Sequence, residues 1–121
     1  MNRISSISHQ GRTVVLLDFT GLSTPQDWSA AVAAARHYFA LLPPDRSALT
    51  LTDVSNTRYN RDAIEMMKAL TRDNAPWVKA GAVVNNSAMH RAAIGMIALF
   101  ARRKFEIFET RQRALDWLVT Q

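Results

Sequence analysis

The segment that most restricts this chain is Thr13-Val14-Val15-Leu16-Leu17-Asp18-Phe19, a nearly unbroken run of β-branched and apolar residues. It has the length of a strand and lacks the strict polar alternation of one with a face in water. A strand of this kind is buried on both faces, which calls for helices above and below a sheet.

The rest of the chain supplies those helices in alternation with further strands. Arg3 to Ser8 reads as a short edge strand. The turn signal His9-Gln10-Gly11-Arg12 makes a hairpin between it and the apolar run, with Gly11 free to take positive φ. Gly21-Leu22-Ser23 breaks the second strand, and Ser23 or Thr24 can cap a helix whose first turn holds Pro25 and Asp27. Trp28, Val32, Ala35, Phe39 and Leu42 form one apolar stripe on that helix, which Pro43-Pro44 ends. Ala48 to Val54 alternates Leu and Thr, a strand with one face less buried.

Asn60 caps a helix from Arg61 whose buried side takes Ile64, Met67, Ala69 or Leu70, and Thr71. Asn74-Ala75-Pro76 stops it, and Trp77 to Val84 is a small-residue strand in which Ala80, Gly81 and Ala82 permit close approach of a helix. Asn85-Asn86-Ser87 is a turn and cap before a helix over 88–103. Phe105 to Phe108 is a short strand, and Thr110 caps a last helix containing Ala114, Leu115, Trp117, Leu118 and Val119. The order is β-β-α-β-α-β-α-β-α. It predicts a single α/β domain over 1–121, with one mixed, mostly parallel sheet of about five strands, an N-terminal hairpin and about four helices.

Composition narrows the function. The chain has 121 residues, 48% of them apolar, enough for one hydrophobic core without staples. It has no cysteine, which excludes disulfides, thiolate zinc sites and thiol nucleophiles. Met1 to Gln10 lacks the apolar core of a secretory signal, and no apolar run approaches the ~18 residues of a membrane span, so a soluble cytoplasmic protein is the expectation. The formal charge is +5, and most of the excess falls in 61–121, where ten basic residues meet six acidic ones. The densest run is Arg102-Arg103-Lys104, with Arg91, Arg111 and Arg113 nearby in sequence. Such a patch can meet phosphates or an anionic membrane surface, or it is a solvated turn at a helix C-terminus. No nucleic-acid motif accompanies it, so nucleic acid is not an expected partner.

Few residues announce chemistry. His9, His37 and His90 are not at metal-ligand spacing, and no metal or cofactor is expected. There is no Gly-x-Ser-x-Gly elbow, no Gly-x-Gly-x-x-Gly and no phosphate-binding P-loop. Asp18 and Asp53 stand near the C-terminal ends of strands expected to be parallel, where open α/β sheets bind ligands. Two carboxylates there could hold Mg²⁺, pair with Arg58, or cap their own loops through backbone N–H groups. The helix over 88–103 is apolar over most of its circumference. Met89, Ala93, Met96, Ile97 and Phe100 mark either a deeply wedged helix, a self-association surface, or an apolar ligand groove.

Three stretches carry a family resemblance. They are Leu49-Thr50-Leu51-Thr52-Asp53-Val54 leading into a loop and helix, Ala80 to Val84 followed by a helix ending Phe100-Ala101-Arg102-Arg103, and Phe108-Glu109-Thr110 followed by Ala114-Leu115-Asp116-Trp117-Leu118. Together they resemble the STAS-like superfamily, closest to the SpoIIAA-like group of small bacterial proteins. These are related in fold to anti-sigma-factor antagonists and to CRAL-TRIO lipid-binding domains. The resemblance implies regulation by protein–protein contact rather than catalysis. It also implies a phosphorylatable hydroxyl after the strand-end aspartate, for which Ser55 is the nearest counterpart and Thr57 the next. The family pattern Asp-Ser-Ser/Thr-Gly is not matched, since Asp53-Val54-Ser55-Asn56-Thr57 has an extra Val and no Gly. The expectation is a non-enzymatic binding module that meets another protein and forms a homodimer near 88–103. The alternatives are an apolar-ligand or lipid binder, and a phosphate-handling enzyme using Asp18 and Asp53.

Overall fold

The computed structural model describes residues 3–58, 60–86, 95 and 105–121. Five strands form one sheet in the order β1-β2-β3-β4-β5: β1 (Ile4–His9), β2 (Arg12–Asp18), β3 (Ala48–Asp53), β4 (Val78–Val84) and β5 (Phe105–Phe108). β1 runs antiparallel to β2, and every other pair is parallel. Gln10 (φ 49°) and Gly11 (φ 78°) make the two-residue turn of the hairpin, the positive φ pair whose twist matches that of the strands.

Three helices complete the described residues: α1 (Pro25–Ala40), α2 (Arg61–Asp73) and α3 (Arg111–Leu118). Each begins at a capping side chain that accepts a backbone N–H: Thr24 from Asp27, Asn60 from Ala63, and Thr110 from Arg113. Four helices were expected; the further one, over 88–103, falls outside the described residues except for Gly95, which is helical.

Strand alternation sorts the core into two layers. One face carries Ile4, Val15, Leu17 and Val83 against Trp28, Val32, Ala35 and Phe39 of α1 and Ala63, Met67 and Leu70 of α2. The other carries Val14, Leu49, Leu51, Ala80, Ala82 and Val84 against Ala114 and Leu118 of α3. β2 is therefore covered on both sides, as its apolar run requires.

Three local readings change in the folded chain. The Thr side of β3 faces the α1–α2 layer and Thr50 is buried, because a hydroxyl fits a close-packed face as well as a wet one. The buried stripe of α2 takes Ala63 in place of Ile64, which is only half-buried. Gly81 makes room for neighbouring strands and not for a helix: a Cβ there would lie 3.1 Å from Thr50 Oγ1 and 3.4 Å from the Phe105 ring. Ala80 and Ala82 are the small residues that admit a helix, α3.

Candidate functional site

The parallel register places Asp18 beside Asp53, Asp53 beside Val84, and Val84 beside Phe108. This row crosses the C-terminal end of the sheet on the face that α3 covers. Asp18 and Asp53 therefore project to the same side from adjacent strands, at the strand ends where the sequence placed them. Two adjacent carboxylates repel unless a cation lies between them.

That cation is Arg111, the first residue of α3. Its Nε donates to Asp53 Oδ2 at 2.6 Å, and its Nη2 lies 3.4 Å from Asp18 Oδ1. Arg58, one of the alternatives the sequence offered for the two carboxylates, does not take this role. Its side chain is exposed, while its backbone N–H donates to Leu22 O and its carbonyl accepts from Trp28 Nε1. Arg111 appears in the sequence only as part of the basic excess. The signal for it is a cation at the first position of a helix, where it opposes the helix dipole and gains from a carboxylate brought near it.

The aspartates also organise their own loops. Asp18 Oδ1 accepts from the Thr20 hydroxyl at 2.6 Å and from the Thr20 N–H at 3.2 Å. Asp53 Oδ1 accepts from the Ser55 N–H at 3.0 Å. Arg3 Nη1 donates to the carbonyls of Asp18 and Thr20, each at 2.9 Å. Burial pushes the Asp18 carboxyl upward in pKa. The two Thr20 hydrogen bonds and the charges of Arg111 and Arg3 outweigh it and hold the group below its ordinary value. Side-chain exposure is 8% for Asp53, 35% for Asp18 and 41% for Arg111, so the cluster is sunk at one end and open at the other.

The surrounding loops are tied to one another. Gly21 N–H donates to Ser55 O at 3.1 Å. Asn56, held at φ 59°, exchanges side-chain and backbone hydrogen bonds with Asn86. Of the two hydroxyl candidates, Ser55 is half-buried, whereas Thr57 is buried and donates its hydroxyl to Val54 O at 2.7 Å. Thr57 is thus a structural hydroxyl, closed to a modifying enzyme in this fold.

The apolar candidates Met89, Ala93, Met96, Ile97 and Phe100 lie outside the described residues, as do the basic candidates Arg91, Arg102, Arg103 and Lys104. Among the described residues no helix is long and apolar enough to cross a membrane.

The hairpin, the three parallel strands that follow it and a site at their C-terminal ends define a SpoIIAA-like α/β fold. A solved structure with a similar fold is a protein from Shewanella loihica PV-4, described as an uncharacterized protein of the DUF3478 family with a SpoIIAA-like fold. The two superpose with a TM-score of 0.72 at 18% sequence identity, over 95% of this chain and 91% of that one. At this identity the likeness is one of fold. No family model matches the chain, and no curated protein matches it.

Proposed function

We propose that this chain is a non-enzymatic binding module that recognises another protein with the loops at the C-terminal end of its sheet. The observation that carries this reading is the contact of one guanidinium, Arg111, with both strand-end carboxylates. A nucleophilic or metal-binding aspartate must present its charge to a substrate or ion. Here the charge of each is already met by Arg111 and by loop N–H groups. This pairing supports a structural role for the two aspartates over a phosphate-handling one. What remains at the surface is a set of mutually bonded polar loops, with Gly21, Ser23, Asn56 and Asn86 exposed. Pre-ordered surfaces of this sort lose little entropy on binding.

Ser55 is the regulatory residue in this reading. Its N–H already holds Asp53 on the oxygen opposite Arg111. A phosphate on its hydroxyl would add roughly −1.5 to −2 charge within reach of that guanidinium and compete with Asp53 for it.

The test is site-specific photo-cross-linking in the native host. A cross-linker at Asn56 should capture one protein, and the adduct should fade with Arg111→Ala. Equal capture from exposed Arg72, at the end of α2, would remove the surface assignment. Hydrolysis of a phosphate monoester by purified protein with Mg²⁺, abolished by Asp53→Asn, would remove the non-enzymatic reading. Unchanged partner capture by Ser55→Ala, with no phosphopeptide in the wild type, would remove the phospho-switch.

A further inference from the structure

At the end of β2 opposite Asp18, the α1 face of the sheet is built from small side chains. Ser6 on β1 is the register partner of Val15 on β2, and Thr13 lies two residues before Val15 on the same face. Ala48 opens β3 beside them. Tyr38, near the end of α1, and Leu42, just beyond it, are one helical turn apart and pack in part against the core. The small residues do not fill the space next to these two large ones, and a cleft of about 330 Å³ is left. That volume falls at the lower end of the roughly 300–1,000 Å³ typical of small-molecule sites.

The chemistry of the lining is specific. None of the described residues that line the cleft is charged. Arg12, next to Thr13 in the chain, points to the opposite face and donates to Val119 O at 3.1 Å. The hydroxyls of Ser6, Thr13 and Tyr38 have no hydrogen-bond partner among the described residues, whereas the Ser47 hydroxyl donates to Asp45. Each free hydroxyl can both donate and accept. Val15, Leu42 and Pro43 supply apolar surface between them. A charged ligand group would enter this cleft without a counter-charge and lose its hydration, whereas a neutral oxygen would exchange water for a hydroxyl.

We propose that this cleft is a binding site for an uncharged, amphipathic small molecule. Its apolar body lies against Val15, Leu42 and Pro43, and its hydroxyl or carbonyl oxygens meet the hydroxyls of Ser6, Thr13 and Tyr38. The site is separate from the loops that carry the protein-binding reading, which lie at the other end of the parallel strands.

The experiment is an NMR titration of the full chain with three probes that share one aryl body and differ in the head group: phenethyl alcohol, phenylacetate and phenethylammonium. The alcohol should give saturable shifts at the Ser6, Thr13 and Leu42 amides, with the millimolar affinity expected of so small a ligand. Both charged probes should bind at least about tenfold more weakly. Thr13→Val and Tyr38→Phe each remove a hydroxyl and keep the shape of the side chain, so the protein should stay folded. Each should weaken the alcohol about threefold, the worth of one hydrogen bond. Four outcomes would overturn the site. The alcohol could give no saturable shift at these amides, or a charged probe could bind as tightly as the alcohol. Both variants could keep the full affinity. The shifts could instead be confined to Leu70 and Trp77, which line a smaller cleft of about 190 Å³. The protein-binding reading is decided separately, by cross-linking from Asn56.

Discussion

Arg111 and Asp53 are 58 residues apart in the chain, yet Nε of one lies 2.6 Å from Oδ2 of the other. The contact joins the start of α3 to the end of the central strand β3. It also neutralises the more buried of two carboxylates that the parallel register forces side by side.

Arg111→Ala should destabilise the fold by roughly 1–3 kcal/mol, since it leaves Asp53 buried without its cation. Arg111→Lys should recover part of this, because an ammonium keeps the charge but lacks the planar fork that reaches both carboxylates. Adding Asp53→Asn to Arg111→Ala should return stability toward wild type. Urea unfolding of the three variants measures all of this; an unchanged midpoint for Arg111→Ala would show that the ion pair contributes nothing.

Asp18 sets an acid limb. Its carboxyl sits below the ordinary 3.8 in the folded chain, so the unfolded chain binds this proton more readily. Its contribution is complete above the unfolded value and is lost as the pH falls through the folded one, so the window opens below about pH 4. Asp73, lowered by its hydrogen bonds to Arg72 and Arg36, acts in the same direction. Asp18→Asn should flatten the fall in stability below pH 4 and leave the slope near neutrality untouched, as followed by denaturation across pH.

Gly81→Ala should destabilise by about 1 kcal/mol, although alanine ordinarily favours a strand over glycine. The added Cβ meets Thr50 Oγ1 at 3.1 Å and the Phe105 ring at 3.4 Å, both inside the packed sheet. Thr50→Ala in the same chain should relieve the clash. Thermal unfolding of the single and double variants gives the coupling, and strict additivity would rule the contact out.

Trp28 is fully buried, donates from Nε1 to Arg58 O at 3.1 Å, and meets Phe19 edge-on with ring centroids 6.1 Å apart. Trp28→Phe should cost roughly 2–3 kcal/mol through the lost volume and the orphaned carbonyl. It should also speed hydrogen exchange at the Arg58 amide, which is bonded to Leu22 O. Exchange that stays unchanged there would show that Trp28 does not hold the loop.

The elements were legible wherever a local signal was strong. The apolar run of β2, the Thr24, Asn60 and Thr110 caps, and the Gln10-Gly11 turn all act within a few residues, and each stands where the residues put it. Asp18 and Asp53 were legible as a pair because strand ends and parallel connections follow from element order. Their partner was not. Arg58 is closer in sequence to both, but helix α3 starts directly over their face of the sheet and Arg111 arrives with it. Likewise the Leu–Thr alternation of β3 showed its two faces without showing that helices cover both.

Periodicity, caps and turn residues thus determined by themselves an α/β chain with a hairpin and parallel strands, because those signals are short-range and additive. Only the tertiary structure decided which cation meets the paired aspartates, which hydroxyl is sealed inside, and that a cleft opens beside the first strand. These depend on distances between segments far apart in the chain, which no local pattern encodes.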